Sequence, residues 1–252
     1  MLNGKRVLIS GAGGLLGTRL VERLLSENSI VIAADLDVEL LRERLKAIGI
    51  SEHSSLSLEK LDLNDSEEVM FLFNALPCLD GAVNCAYPRN KQYGRKFFDV
   101  ELQDFNEHLS LHLGASFLFI QQCAKFFEKH KTPFSLVNIS SVYGVAAPKF
   151  EIYEDTSMTM PVEYAAIKSA LIHLSRYAVS FVGDSNFRSN CVSPGGILDS
   201  QPSSFLLSYR DECLGKGMLN VEDVLGSIVF LLSDQSKYMN GQNLIIDDGF
   251  TL

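Results

Sequence analysis

Short apolar runs alternate along the chain with longer stretches in which apolar residues recur every three or four positions. The short runs are rich in β-branched residues and predict strands at 7–10, 30–34, 56–61, 81–85, 135–139, 188–192 and 243–246. The longer stretches predict helices at 17–27, 38–48, 66–76, 102–129 and 162–182. Strands that alternate with helices form right-handed βαβ units. We therefore expect an α/β fold with a doubly wound, mostly parallel seven-stranded sheet and helices on both faces.

This alternation continues without a linker, repeat or low-complexity segment, so residues 1–252 are expected to form one domain. The net charge is -9 and the pI is about 5.1, so neither nucleic acid nor an anionic membrane is expected as a partner. No apolar run reaches the ~18 residues that a transmembrane helix needs. Glycines interrupt the apolar segment after Lys5 and Arg6, unlike a signal peptide, and a cytoplasmic location is expected.

Neither the cysteines nor the histidines are spaced like metal ligands. The five cysteines are odd in number and form no zinc-knuckle motif, so reduced thiols are expected. His108 and His112 lie four residues apart on a predicted helix, but no third ligand is evident nearby. No metal site is therefore expected.

Glycines cluster where the first predicted strand leads into the first predicted helix. Segment 10–17 reads Ser-Gly-Ala-Gly-Gly-Leu-Leu-Gly, and it lacks the lysine of a P-loop. Such a turn can approach a pyrophosphate closely, and the helix N-terminus adds free N–H groups and a positive dipole end. The pattern predicts a Rossmann-type dinucleotide site, and a purely structural glycine turn is the alternative. The residues assigned to this site are Gly11, Gly14, Leu15, Leu16 and Gly17.

Aspartates end the second and third predicted strands. Asp35 lies 18 residues after Gly17, where it can accept hydrogen bonds from the adenosine ribose and would repel a 2′-phosphate. Leu36 follows it, and the glycine turn contains no Arg or Lys, so NAD is favoured over NADP. Asp62, followed by Leu63, is placed to meet the adenine edge. Helix capping is the alternative role for both aspartates.

Tyr164 and Lys168 lie four residues apart, which places both side chains on one face of a predicted helix, and Ser141 lies 23 residues before Tyr164. Lowering a phenol pKa from ~10 to about 7 needs roughly 4 kcal/mol, which one ammonium ~4 Å away supplies at an effective dielectric constant of ~20. Tyr164 is thus predicted to be a general acid/base whose pKa Lys168 lowers, and Ser141 a donor to the substrate oxygen. No Gly-x-Ser-x-Gly elbow surrounds Ser141, which argues against a hydrolase.

Together these motifs resemble the compact members of the short-chain dehydrogenase/reductase family, and the resemblance covers the whole chain. It implies an NAD(P)-dependent oxidoreductase that transfers a hydride between a nicotinamide cofactor and a secondary alcohol or ketone. Segments 10–17, 62–63, 83–86, 137–141, 164–168, 190–196 and 241–249 carry the resemblance. By this resemblance, the cofactor is also expected to contact Asn84, Cys85, Ala86, Tyr164, Lys168, Pro194, Gly195 and Ile197.

The chain departs from the family pattern at its glycines and before Tyr164. The spacing of Gly11, Gly14 and Gly17 is that of the branch acting on nucleotide sugars. A nucleotide-sugar epimerase or dehydratase with tightly held NAD is therefore an alternative. An insertion that includes 150–160 precedes Tyr164 and could form either a substrate flap or a surface loop.

Two further departures lie near the expected nicotinamide. Cys85 and Tyr87 replace an asparagine and a glycine of the family pattern. The family's helix asparagine, which holds a water in the proton path, falls on His112, where an imidazole would titrate near neutrality. His112 is therefore a candidate catalytic residue. These departures leave a non-catalytic dinucleotide-binding scaffold or sensor as a second alternative.

The segment 153–164 is similar to a narrower subgroup, the dehydrogenases of bacterial flagellin modification and nonulosonic-acid sugar pathways. This similarity implies a small-molecule substrate, either a sugar or a sugar phosphate, in cell-surface or flagellin glycan biosynthesis. Helices corresponding to 102–129 and 162–182 pair across two-fold axes in the family. A homodimer or tetramer is therefore expected.

Overall fold

Seven strands form one sheet in the computed structural model, which describes all residues 1–252. They are β1 (Arg6–Ser10), β2 (Ile30–Asp35), β3 (Leu56–Lys60), β4 (Gly81–Asn84), β5 (Phe134–Ile139), β6 (Phe187–Pro194) and β7 (Asn243–Ile246). Their order is β3-β2-β1-β4-β5-β6-β7, and every neighbouring pair is parallel. The doubly wound, seven-stranded sheet expected from the sequence is confirmed.

Helices cover both faces of this sheet, and so β6 is buried along its whole length. The α-helices are α1 (Leu15–Ser26), α2 (Val38–Ala47), α3 (Ser66–Ala75), α4 (Leu102–His108), α5 (Ala115–His130), α6 (Val162–Val182), α7 (Ser203–Asp211) and α8 (Val221–Leu232). None of the helices is both long enough and apolar enough to span a membrane.

Each face of the sheet carries its own apolar core. On one face α1, α2 and α8 pack together through residues such as Leu20, Leu41 and Ile228. On the other face α3, α5 and α6 pack through residues such as Phe119 and Leu171. The two layers hold the sheet rigidly between them, so the loops at its carboxyl edge start from fixed positions.

The chain reverses direction across the sheet between β1 and β4, which are neighbours. In open parallel sheets such a switch point leaves a crevice at the carboxyl ends of the strands, and ligands bind there. The turns that follow β1, β4, β5 and β6 all leave the sheet at this edge. The sequence-predicted site residues lie on those turns and on the helices beside them.

The predicted strand ends differ from the observed ones by no more than two residues. The predicted helix 102–129 is more complex than expected, because a π-helical segment, Leu109–Gly114, separates α4 from α5. Two helices, α7 and α8, were not predicted. A capping box formed by Asn220 and Asp223 at the start of α8 was a readable signal for that helix.

Candidate active site

The turn between β1 and α1 contains glycines because its main chain leaves no room for side chains. Gly11 has a φ of +68°, and a Cβ on it would lie 2.7 Å from main-chain atoms of Ala86. A Cβ on Gly17 would lie 2.2 Å from the carbonyl oxygen of Gly11. Larger residues at these positions would displace the backbone, so the tight turn depends on glycine.

The first turn of α1 leaves its amide groups free for a ligand. The helix is preceded by Gly14, no side chain caps it, and its first turn holds no acidic residue. By contrast, the side chains of Asp37 and Asp65 cap α2 and α3. Uncapped amides at the positive end of a helix dipole suit a phosphate group, so the residues present fit the pyrophosphate of a dinucleotide. Leu15 is exposed at this turn, and Leu16 is buried.

Asp35 and Arg44 both form hydrogen bonds with the main chain of Gly13. The Gly13 N–H donates to Asp35 Oδ2 at 2.8 Å, and the Arg44 guanidinium donates to the Gly13 carbonyl. Asp35 Oδ1 accepts a further hydrogen bond from the Asp37 N–H at 3.1 Å. The predicted ribose-binding carboxylate therefore lies against the glycine turn. The sequence analysis missed Arg44, a cation that reaches the turn from α2.

The aspartate after β3 has a visible local role. Asp62 Oδ1 accepts a hydrogen bond from the Asn64 N–H at 2.8 Å and so shapes the turn before α3. Leu63 is buried, whereas Leu36, which follows β2, is 60% exposed. Asp65 caps α3, so the helix-capping alternative for Asp62 is wrong, and one oxygen of Asp62 shapes the turn before that helix.

Asn84 is buried at the end of β4 and forms hydrogen bonds with three neighbouring segments. Its Oδ1 accepts hydrogen bonds from Ser10 Oγ at 3.1 Å and from the Ala86 N–H at 3.3 Å, and its Nδ2 donates to Ser116 Oγ at 3.2 Å. These bonds fix the segment that presses against Gly11. Burial raises the pKa of the Cys85 thiol to about 12, so this cysteine stays protonated.

Ser141 follows β5, and the Lys168 side chain reaches the last residue of that strand. The Lys168 ammonium donates to the Ile139 carbonyl at 2.8 Å, and Ser141 Oγ accepts the Tyr143 N–H at 3.2 Å. The turn that follows Ser141 lies directly against α6, since a Cβ on Gly144 would be 2.8 Å from the main chain of Lys168. Gly144 was not singled out from the sequence, yet it allows this approach.

Tyr164 lies one helical turn before Lys168, and the Lys168 Nζ is 5.5 Å from the centroid of its ring. The expected lowering of the Tyr164 pKa by Lys168 is wrong. Burial raises the pKa of Tyr164, and a side-chain hydrogen bond with Ser141 offsets only part of the rise. Burial also lowers the pKa of Lys168 to about 8. The sequence estimate counted the attraction between the charges, but both charged forms also lose their hydration.

Four rings form a cluster beside Tyr164, which we call the aromatic wall: Tyr87, Tyr93, His108 and His112. The Tyr87 ring lies at the centre, 5.4 Å from the Tyr164 ring and 5.3 Å from the His112 ring between centroids. Tyr93 meets Tyr87 edge to face and stacks on His108. Tyr87, which stands where the family pattern has glycine, therefore gives the site a wall of side chains.

His112 belongs to the π-helical segment and is 1% exposed. Neither of its ring nitrogens has a hydrogen-bond partner within the protein. Burial lowers the pKa of His112 to about 2, and the nearby Lys168 charge adds to this effect. The expectation that His112 titrates near neutrality is therefore wrong, since desolvation keeps its imidazole neutral. No group of His, Cys, Asp and Glu side chains is arranged to hold a metal ion.

The turn after β6 leaves the same edge of the sheet. Pro194 ends β6, and the Gly195 N–H donates to the Ile246 carbonyl at 2.8 Å. The N–H of Gly196 donates to the hydroxyl of Tyr209 at 2.6 Å, and Ile197 forms a bridge with Leu219. Tyr209, a residue of α7 that the sequence analysis missed, thus anchors this turn from a distant part of the chain.

The insertion before Tyr164 is packed against the rest of the protein. Ile152 is 3% exposed, in a small core with Phe205 and Tyr209 of α7. The Tyr153 hydroxyl lies 2.9 Å from the Tyr143 hydroxyl, and Thr159 Oγ1 donates to the Gly94 carbonyl at 2.6 Å. The segment therefore joins α7 to the loop that carries Tyr87 and Tyr93, which a bland surface loop would not do.

A comparison with known families identifies this arrangement. The sequence profile described as Enoyl-(Acyl carrier protein) reductase matches residues 11–251, nearly the whole chain. The chain belongs to the short-chain dehydrogenase/reductase family. As a member of this family it is an NAD(P)-dependent oxidoreductase, and the resemblance seen in the sequence is confirmed.

Individual relatives match over almost their full length. Post-translational flagellin modification protein A of Campylobacter coli is 38% identical over 260 residues and covers 100% of both chains. A short-chain dehydrogenase of Leptospira borgpetersenii, solved with bound NAD⁺, has a TM-score of 0.88 and 30% identity, with 100% of this chain and 94% of that chain covered. A 4-hydroxyisoleucine dehydrogenase complexed with NADH has a TM-score of 0.82 and 25% identity, with coverage of 98% and 99%.

Proposed function

We propose that this oxidoreductase uses NAD to transfer a hydride to or from a secondary alcohol or ketone in a sugar or sugar phosphate. The pathway we propose is flagellin or cell-surface glycan biosynthesis. The observation that carries the chemistry is that Tyr164, Lys168 and Ser141 converge at the sheet edge that also carries the glycine turn. The 38% identity with flagellin modification protein A supports the sugar pathway.

In the oxidative direction, Tyr164 takes the proton of the substrate hydroxyl while the carbinol carbon loses its hydride. A nicotinamide cofactor, when bound, would supply the hydride acceptor, and the positive charge of its oxidised ring would favour the phenolate of Tyr164. Ser141 holds the substrate oxygen by a hydrogen bond and stabilises the charge that develops on it. Lys168 takes the proton onward, because its pKa of about 8 allows it to bind and release protons near neutral pH.

The proton path includes His112 in this proposal. Its neutral ring offers one donor and one acceptor nitrogen beside Lys168, and neither is engaged by the protein. A water held between His112 and Lys168 would connect the buried amine to solvent. In this arrangement His112 relays protons by hydrogen bonding and need not become charged.

The cofactor would lie across the switch point between β1 and β4. The uncapped start of α1, with Gly14, Leu15, Leu16 and Gly17, would hold the pyrophosphate. Asp62 and Leu63 would border the adenine, while Asn84, Cys85 and Ala86 would line the path towards the nicotinamide. Pro194, Gly195 and Ile197 would face the nicotinamide end.

Asp35 favours NAD over NADP in this proposal, because its carboxylate lies at the glycine turn and would repel a 2′-phosphate. Arg44 acts in the opposite direction, since its guanidinium reaches the same turn. We propose that Asp35 dominates, because it lies at the end of β2 itself, where the ribose is expected.

Two further features of the proposal concern the setting of the protein. The five cysteines are all free thiols, which suits the reducing cytoplasm. The exposed aromatic side chains of Tyr177 and Phe181 on α6 and of Phe117 on α5 offer an apolar face to a second copy. We therefore propose a cytoplasmic dimer or tetramer.

One alternative activity has an observation in its favour. The spacing of Gly11, Gly14 and Gly17 is that of the branch acting on nucleotide sugars, whose epimerases and dehydratases retain NAD tightly. Dialysis separates the two activities. The proposed dehydrogenase loses its NAD and needs it added back, whereas an epimerase or dehydratase keeps it. A non-catalytic sensor would bind NAD without turning over any sugar.

The central test is Tyr164→Phe, which removes the phenolic proton and keeps the ring. Loss of a general acid/base costs typically 10²–10⁴-fold, so we expect kcat to fall by about 10³-fold. The affinity for NAD, measured by calorimetry, should change little, because the phenol acts on the substrate oxygen. The measurement is initial-rate formation of NADH across a panel of sugars and sugar phosphates.

The matched control is His112→Asn, which places the family's amide in the proposed proton path. This variant should keep most of its activity, because an amide offers both N–H donors and a carbonyl acceptor. Equal rates for Tyr164→Phe and the parent protein would remove Tyr164 from the mechanism. Equal losses in both variants would instead indicate a general disturbance of the aromatic wall.

A further inference from the structure

An arginine without an acidic partner lies on the aromatic wall. The guanidinium carbon of Arg89 is 5.3 Å from the centroid of the Tyr87 ring and 5.9 Å from that of Tyr93. Arg89 forms no ion pair with an Asp or Glu side chain and is exposed to solvent. Its charge and its hydrogen-bond donors are therefore available to a ligand.

Three other cations near the site are either paired with a carboxylate or buried. Arg95, on the same loop, pairs with Asp104 and Glu101. Lys149, before the insertion, pairs with Glu212 at 2.9 Å. Lys168 is buried and bonded to a main-chain carbonyl. Lys91 and Lys96 on the same loop are also exposed and form no ion pair, but neither lies over an aromatic ring. Arg89 thus combines exposure and a lack of carboxylate partners with a position on the aromatic wall.

The two tyrosines fix the place of this guanidinium. Tyr87 and Tyr93 are joined through their hydroxyl groups and meet edge to face with ring centroids 5.9 Å apart. A guanidinium over two such rings gains cation–π attraction and keeps its N–H groups at the edge of the stack. Arg89 is therefore held in one region before any ligand arrives, which lowers the entropic cost of binding.

The position of Arg89 relates it to the reacting groups. The guanidinium carbon of Arg89 is 5.3 Å from the centroid of the Tyr87 ring, and that centroid is 5.4 Å from the centroid of the Tyr164 ring. The guanidinium and the proposed general acid/base therefore both lie next to the same aromatic ring. A small molecule whose carbinol meets Tyr164 would have its far end beside Arg89.

The net negative charge of the protein explains why an anionic ligand would need a local cation. With a net charge of -9, the chain repels small anions at long range. A neutral sugar needs no cation, whereas a phosphate or carboxylate does. An Arg fork pairs with both anions through two parallel hydrogen bonds.

We propose that Arg89 anchors an anionic group, a phosphate or a carboxylate, on the end of the substrate remote from the reacting carbon. This inference rests on the proposed function and narrows its substrate class from a sugar or sugar phosphate to sugars that carry a phosphate or a carboxylate. Tyr87 and Tyr93 act as positioning residues that hold the guanidinium in place.

The test measures binding separately from turnover. Two neutral sugars, fructose and glucose, and three anionic ones, fructose 6-phosphate, glucose 6-phosphate and glucuronate, are titrated calorimetrically into the protein with saturating NAD. NADH formation is recorded in parallel. A hydrogen-bonded charge pair typically contributes enough for about a 10- to 100-fold change in affinity. We expect at least one anionic sugar to bind by that factor more tightly than its neutral counterpart. Whether a sugar phosphate or glucuronate binds more tightly shows which anionic group Arg89 recognises.

Arg89→Ala should remove this difference, raising KM for the anionic sugar by the same factor with little change in kcat. Arg89→Lys should restore part of it, because the charge returns without the planar fork. Lys91→Ala is the matched control, since this exposed lysine lies on the same loop and should leave binding unchanged.

Three results would overturn the inference: equal affinity for neutral and anionic sugars, no binding of any anionic sugar, or an unchanged preference in Arg89→Ala. A failure of the proposed function gives a different result. In that case the anionic sugars bind and depend on Arg89, but no NADH forms with any of them.

Discussion

The glycine turn and the aromatic wall lie at the same edge of the sheet but are built in different ways. The turn is held by main-chain contacts, and replacing Gly11 or Gly17 would bring a side chain against backbone atoms. The wall is held by packed rings and leaves the nitrogens of His112 without partners. Main-chain geometry suits a cofactor whose pyrophosphate never varies, whereas side chains can be exchanged to suit a substrate.

The largest expected effect is on the glycine turn. Gly17→Ala places a Cβ 2.2 Å from the Gly11 carbonyl oxygen and 2.8 Å from Ala12 Cα, and backbone atoms must move. We expect the free energy of unfolding to fall by about 1–3 kcal/mol, as in overpacked cores. The affinity for NAD should fall by more than about 100-fold, because the amide groups in the first turn of α1 would no longer point towards the pyrophosphate. Denaturant titration and calorimetry measure the two quantities.

Gly226→Ala is the control for this change. Gly226 lies inside α8, and a Cβ on it would meet no atom within 4 Å. Alanine is the better helix former, so this variant should be more stable by about 0.5–1 kcal/mol and bind NAD normally. If both variants behaved alike, the close approach at Gly17 would not be the reason for its glycine.

The same contrast explains how much of the site could be predicted from the sequence. The glycine turn is local, since its residues are consecutive and its strand and helix have clear patterns. The pairing of Tyr164 with Lys168 follows from helix geometry alone. These features could be predicted because neither depends on which distant segment packs beside them.

The aromatic wall could not be predicted in this way. Tyr87 and Tyr93 come from the loop after β4, His108 from the end of α4 and His112 from the π-helical segment, and only tertiary packing brings the four rings together. The pKa of His112 and that of Tyr164 were wrongly expected for the same reason. Desolvation depends on the burial of the side chain, and residue spacing does not report burial.

The stability of the protein should depend on pH through Lys168, because burial lowers the pKa of this residue from 10.5 to about 8. Below pH 8 both the folded and the unfolded protein keep the proton, and the buried ammonium destabilises the fold fully. Between pH 8 and 10.5 the unfolded chain holds a proton that the folded protein has released, so the stability rises with pH. At ~1.36 kcal/mol per pKa unit, this shift corresponds to about 3 kcal/mol.

Lys168→Met tests the size of this contribution. The variant should be more stable than the parent near pH 7, and its advantage should shrink by about 3 kcal/mol as the pH approaches 10.5. Denaturant titrations at several pH values measure the difference. Lys96→Met, at an exposed lysine, should follow the parent at every pH. A constant difference between Lys168→Met and the parent would mean that the ammonium is well solvated.

The smallest expected effect is on the cofactor preference of a variant at Asp35. This side chain accepts a hydrogen bond from the glycine turn. Asp35→Ala removes the carboxylate that accepts the Gly13 N–H and leaves Arg44 at the turn. We expect the preference for NAD over NADP, measured as a ratio of kcat/KM, to narrow by about tenfold, the equivalent of ~1.4 kcal/mol. The loss of repulsion towards the 2′-phosphate should account for most of the change.

Asp37→Ala is the matched control, because Asp37 lies two residues away and caps α2 by accepting the Leu40 N–H at 2.9 Å. Its loss should cost about 1 kcal/mol of stability, the usual effect of removing a helix cap, and leave the cofactor ratio unchanged. An unchanged ratio in Asp35→Ala would mean that this carboxylate supports the turn and does not read the ribose. If the preference for NAD narrowed equally in both variants, the cause would be a shift of α2. Such a shift would move Arg44, which lies on that helix.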